Sequence, residues 1–181
     1  MQFVRRFSTA PRKLPLVLKD TGTGSTSVAF SNSATAVPMG SFPTSARPQM
    51  EAAFTRQKSV QDEFEDMIDK PQLFEENPEF WPRAAAALKQ HIHDDPVYGD
   101  LVAAETRTQY FHIYDFRLPP MFGRIPEVED ILGTVELAIN DKETTIVPQS
   151  FEPNAMYRPL TRFGAMLLAP YSHEIIANAT Q

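Results

Sequence analysis

The apolar residues of this chain change their spacing part-way along it, and that change limits the folds open to it. In WPRAAAALKQHI (81–92) they recur at helical intervals around alanine, the best helix former. Asn77-Pro78-Glu79 precedes it with a capping side chain, a proline suited to the first turn and an acid near the helix start. Asp95-Pro96 repeats the same signal before VYGDLVAAE. Upstream, Met50, Phe54, Phe64, Met67 and Ile68 fall on one side of a further helix, which Pro71 ends. From residue 108 the period becomes two: TQYFHIYDF (108–116) alternates aromatic and β-branched residues like a strand. ILGTVELAI, a turn at Asn140-Asp141-Lys142 and ETTIV read as a hairpin, AMYRPLT and FGAMLL as two more strands about Arg162, and PYSHEIIANA as a closing helix. This order predicts an α+β fold: N-terminal helices, then a small mainly antiparallel sheet and a short C-terminal helix.

The first quarter reads differently. Residues 8–48 are rich in Ser, Thr, Ala and Pro, with eleven Ser/Thr between Thr21 and Ser45. Such a segment buries little apolar surface against an ordering cost of ~1–2 kcal/mol per residue. It is expected to be a low-complexity, mostly disordered tail ahead of a single domain over 49–181. Within it, LPLVLKD and STSVAF around TGTG read as two short strands that could join this domain or a partner.

Charge divides the chain as well. Residues 1–50 hold six Lys/Arg against Asp20 alone, whereas residues 51–181 hold 11 basic and 22 acidic groups. The acidic part repels polyanions, so no direct nucleic-acid contact is expected. Residues 1–7 read as a mitochondrial presequence. Phe3 and Phe7 share one helical face, away from Arg5 and Arg6. Arg5-Arg6-Phe7-Ser8 matches the Arg-x-Phe-Ser pattern cut by matrix processing enzymes, which puts cleavage near Phe7/Ser8. The expected destination is the matrix or the matrix face of the inner membrane, reached through the import and processing machinery. The absence of cysteine excludes thiolate zinc sites, iron–sulfur clusters, disulfides and cysteine nucleophiles. No apolar run approaches the ~18 residues of a membrane span, and no cofactor is expected.

Several short stretches resemble chemistry. HIHDD (91–95) offers His91 and His93 as weak metal ligands, with His112 or His173 as a distant third. Residues two apart on a helix point about 200° apart, which favours Asp95 as a cap before Pro96 instead. Asp20-Thr21-Gly22 matches the aspartic-protease triplet, but it has no second copy and follows Lys19. Glycine-rich dinucleotide turns, phosphate loops and nucleophile elbows are missing. Tyr110, His112, Tyr114 and Phe116 would share a strand face, making His112 the candidate general base of an enzyme. Arg107, Arg117, Arg158 and Arg162 could gather nearby to hold an anion. In the connector LPPMFGRIPEVED, Met121, Phe122 and Ile125 are candidates for protein binding. The sequence therefore favours a non-catalytic mitochondrial accessory subunit or assembly factor of a larger protein complex. The alternative is a small matrix enzyme acting on an anionic metabolite.

Overall fold

The computed structural model describes residues 16–48, 50, 70–105, 108–118, 120, 124–140 and 143–181. Its described part opens with strands. β1 (Val17–Asp20), β2 (Ser25–Ala29) and β3 (Gly40–Pro43) form an antiparallel meander, and β4 (Glu75–Glu76) pairs with the outer edge of β3. The TGTG segment closes the β1–β2 hairpin as expected, with Gly22 and Gly24 at φ 74° and 83°. Those left-handed values favour glycine.

This arrangement corrects the predicted order of N-terminal helices, then a sheet, behind a disordered tail. Among the described residues there are three helices and ten strands in three antiparallel sheets, with the helices in the middle and at the C-terminal end. The physical reason lies in alternation. Thr26 and Val28 are buried at alternate positions, Ala29 and Phe30 continue the buried end of the strand, and Met39 and Phe42 join them from the neighbouring strand and its approach. The hydroxyl residues Ser25, Ser27 and Ser41 take the less buried positions between them. A strand needs only half its residues to be apolar, so a Ser/Thr-rich segment can still supply one face of a core. The expected helix upstream of Pro71 falls on 51–69, outside the described residues; Met50 at its start is fully buried.

After β4, Asn77 joins the first sheet to the helices. Its amide donates to Pro38 O (2.9 Å), its backbone N–H donates to Met39 O (3.0 Å), and its Oδ1 accepts the Glu79 N–H (3.0 Å). α1 (Phe80–His91) follows, burying Phe80, Ala84 and Leu88 at i, i+4 and i+8. A short 3-10 turn (Ile92–Asp94) leads into α2 (Pro96–Val102). The Asp95 carboxylate caps α2 as the sequence predicts, Oδ1 accepting from Val97 N (2.9 Å) and Tyr98 N (3.4 Å). It does more than that. Oδ2 accepts from the backbone N–H (3.2 Å) and hydroxyl (2.5 Å) of Ser172, in the first turn of α3 (Pro170–Ala179). One buried carboxylate thus satisfies the open N-termini of two helices.

The second sheet is built on β6 (Ile131–Ile139), the longest strand. β5 (Tyr110–Tyr114) pairs along it, β7 (Thr144–Ile146) pairs with its C-terminal end and β8 (Glu152–Pro153) pairs with Gly133 and Thr134. The β6–β7 hairpin is the one the sequence predicts. β9 (Leu160–Thr161) and β10 (Gly164–Ala165) make a two-stranded hairpin about Arg162. Both four-stranded sheets pack their inner side chains into one core with α1 and α3: Val28 and Phe42 join Leu132, Val135, Phe151 and Ile176 in it. Gly133 is required by packing, because a Cβ there would lie 2.5 Å from Glu152 O and from the Phe151 ring. Among the described residues no helix is long and apolar enough to cross a membrane.

Candidate functional site

The most unusual chemistry lies at the end of β5. Burial alternates through Phe111, Ile113, Asp115 and Arg117, so the inward row that starts with hydrophobics ends with two charges. A register shift between Ile113 and Tyr114 marks the change, after which Asp115 N–H bonds Asp130 O (2.9 Å) and Phe116 N–H bonds Leu167 O (2.7 Å). The Arg117 side chain is 2% exposed. Its guanidinium donates through Nε to Asp130 Oδ1 (2.6 Å), pairs through Nη2 with Asp115 Oδ2 (3.0 Å), and reaches the carbonyls of Gly164, Glu129 and Arg158. Tyr157 lies 5.6 Å below it and donates its hydroxyl to Asp115 Oδ2 (3.1 Å), while Trp81 packs on the Tyr157 ring. Arg117 therefore binds together the end of β5, the 3-10 turn Val128–Asp130, the strand-free segment 157–159 and β10.

The electrostatics are unbalanced, with two buried carboxylates facing one guanidinium. Burial pushes the Asp115 carboxyl up to about 7, against the lowering effect of Arg117. Burial also raises Asp130, again opposed by Arg117, and lifts the Tyr157 phenol well above its ordinary value. Burial disfavours the Arg117 charge, but Asp115, Tyr157 and Asp130 outweigh it and raise that pKa. Asp115 accepts one hydrogen bond on each oxygen, from the Arg117 backbone N–H on Oδ1 (3.1 Å) and from the Tyr157 hydroxyl on Oδ2, with Arg117 Nη2 in ion-pair contact at Oδ2. Asp130 Oδ2 is buried with no partner. An open cleft of ≈ 290 Å³ runs beside Asp130, between residues 127–130 and 161–163. The cluster can hold a proton and lock segments together. Its carboxylates are buried.

The other sequence candidates are dispersed. His112 points outward from β5, exposed, with Nδ1 3.0 Å from Thr134 Oγ1 on the paired strand. Tyr110 beside it is 64% exposed. Arg117 is committed to the buried cluster, Arg158 pairs with Glu76 (3.3 Å), Arg162 lies over the Phe163 ring (4.7 Å), and Arg107 is outside the described residues. His91 is exposed at the end of α1. His93 is half-buried, with Nε2 3.6 Å from Asp94 and Nδ1 unpartnered. His173 packs on the Phe30 ring, and burial lowers its pKa to about 4. Among the described residues no three His or acidic side chains gather as metal ligands. Asp20 accepts the Gly22 N–H (3.0 Å) in the exposed β1–β2 turn, a local bond that shapes the turn.

At the connector, Met121 and Phe122 are outside the described residues, as are Arg5, Arg6, Phe7 and Ser8. Ile125 is 75% exposed, and two residues that sequence reasoning missed resemble it: Val128 at 43% and Met156 at 60%. Asn154 holds the Met156 turn against the connector, donating to Val128 O (2.7 Å) and Ile131 O (2.9 Å) and accepting from Met156 N–H (3.0 Å). The reading of AMYRPLT as a strand concealed Met156. Only Leu160–Thr161 pairs, and Met156 lies in the turn before it. Comparison with protein-family models, curated proteins and solved structures finds no match to this chain.

Proposed function

We propose that the protein is a non-catalytic mitochondrial accessory subunit or assembly factor, which docks on a larger complex through the connector and the Met156 turn. The observation that carries this reading is the exposure of Ile125, Val128 and Met156 on a frame fixed from below by Asn154 and Arg117. Exposed apolar side chains on an ordered support lose little conformational entropy on docking, which makes them effective interface anchors. The acidic surroundings, Glu127 and Glu129 among them, suit a protein partner with basic groups at its rim. The mitochondrial assignment rests on the basic opening and its Arg-x-Phe-Ser pattern.

The enzyme alternative requires cationic side chains around His112, and Arg117 and Arg158 are engaged elsewhere. A direct test replaces Ile125 and Met156 together by Asp in the full-length protein. The double variant should remain folded and imported yet lose co-migration with its complex. Unchanged co-migration would refute this docking face.

A further inference from the structure

We propose that the Asp115–Arg117–Asp130 cluster is a proton-linked latch: it takes up one proton, on Asp130 Oδ2, and then holds residues 128–130 and the β9–β10 hairpin against the end of β5.

The geometry carries the inference. Both carboxylates are buried, and Arg117 is the cation in contact with them. Fully ionised, the cluster would enclose one uncompensated negative charge, which a low-dielectric interior disfavours strongly. Arg162 lines the cleft beside Asp130 but lies over the Phe163 ring, and the remaining groups facing the cluster worsen that imbalance or leave it unchanged. From the connector, Glu127 and Glu129 add negative potential at Asp130. From α2 and β5, Tyr98 and Tyr114 stay neutral, since burial raises both phenols, and Tyr98 also feels Asp95 and Asp115. Tyr157 is neutral and donates to Asp115. The Arg158 side chain is turned to Glu76 and contributes only its carbonyl here.

The bonding pattern places the proton. Asp115 has a hydrogen-bond donor on each oxygen and Arg117 Nη2 in ion-pair contact, whereas Asp130 receives only Arg117 Nε, on Oδ1. Protonating Oδ2 removes charge from the one buried carboxylate oxygen with no donor. The carboxyls titrate as a coupled pair, and burial raises both, Asp115 to about 7. Loss of the proton leaves Arg117 to balance two anions while also serving three backbone carbonyls. Those carbonyls belong to Glu129, Arg158 and Gly164, the parts the latch would release.

The test is amide hydrogen exchange of the full-length protein at pH 6 and pH 8, corrected for the intrinsic exchange rate and followed in peptides covering 124–132 and 157–166. A proton taken up by the coupled carboxyls only in the closed form makes protection in these peptides higher at pH 6 than at pH 8, by up to about tenfold. Peptides from β1 and β2 serve as the control and should keep one value. Asp130→Asn, which keeps an acceptor for Arg117 Nε, should abolish the difference and hold protection at its acid level. Equal protection of the wild-type peptides at the two pH values would overturn the latch. A pH dependence that persists in Asp130→Asn would overturn the placement of the proton. If that variant does not fold, the wild-type comparison decides alone.

Discussion

Arg117→Met should be among the most damaging single substitutions in this protein, and its cost should depend on pH in a particular direction. Methionine has a similar reach and fills much of the space, so the main loss is the charge. Removing one partner of a buried ion pair costs about 3–5 kcal/mol, because the remaining charge is left uncompensated. Here two carboxylates lose their cation at once, and three carbonyls lose a donor. Each buried carbonyl left without a partner adds about 1 kcal/mol or more. The sum is at least about 5 kcal/mol at pH 8, comparable to the whole stability of a domain of this size. At pH 5.5 the two carboxyls can take up protons, so the penalty should shrink by several kcal/mol. The assay is urea unfolding of wild type and variant at both pH values, followed by circular dichroism. The triple change Asp115→Asn, Arg117→Met, Asp130→Asn leaves no buried charge and should recover part of the loss at pH 8. A penalty below about 1 kcal/mol, or one independent of pH, would refute the assignment of Arg117 as the electrostatic keystone.

Three other perturbations have defined outcomes. Asp95→Ala removes the caps of two helices together and should cost about 3 kcal/mol in urea unfolding, whereas Ser172→Ala, which spares the α2 cap, should cost about 1. His173 has a pKa lowered by burial to about 4 from an ordinary 6.5. Its contribution is therefore present above pH 6.5 and lost as pH falls toward 4, since the unfolded chain binds the proton first. The buried carboxyl pair works the other way: burial raises both Asp130 and Asp115, the latter to about 7, so the stability gained from the pair's shared proton is fully present below about pH 4 and lost as pH rises through 7. The two trends oppose each other in the wild type, and His173→Phe should expose the second, giving a midpoint that falls steadily from pH 5 to pH 8. Deleting residues 1–13 should leave the folded domain intact and strand it in the cytosol, as fractionation of cells expressing the truncated protein would reveal.

Local signals in the sequence were read well where a single element decides the outcome. The β6–β7 hairpin, the helix Pro170–Ala179 and the Asp95 cap each follow from residues within a few positions of one another. What escaped depends on distance. Ser172 is 77 positions from Asp95, and Asp130 is 13 from Arg117 across a connector with no regular period, so neither partnership follows from a local pattern. One signal was nonetheless present. The inward row Phe111-Ile113 continues to Asp115 and Arg117, and charges at inward strand positions imply a buried counter-charge. The outward row of Tyr110 and His112 carries the more obvious chemistry and masks that signal. Composition misled in the first quarter, where abundant Ser and Thr hid the period-two burial of Thr26 and Val28. The order of the fold was lost with it, because those strands come before the helices.

The central claim, that this chain works as part of a larger assembly, is tested most directly by its native size. A C-terminally tagged copy at endogenous level would be followed by size-exclusion chromatography of mitochondria solubilised in mild detergent. Migration of the bulk of the protein with a complex of several times its own 20.4 kDa is the predicted result. Elution as a free monomer or dimer would contradict it.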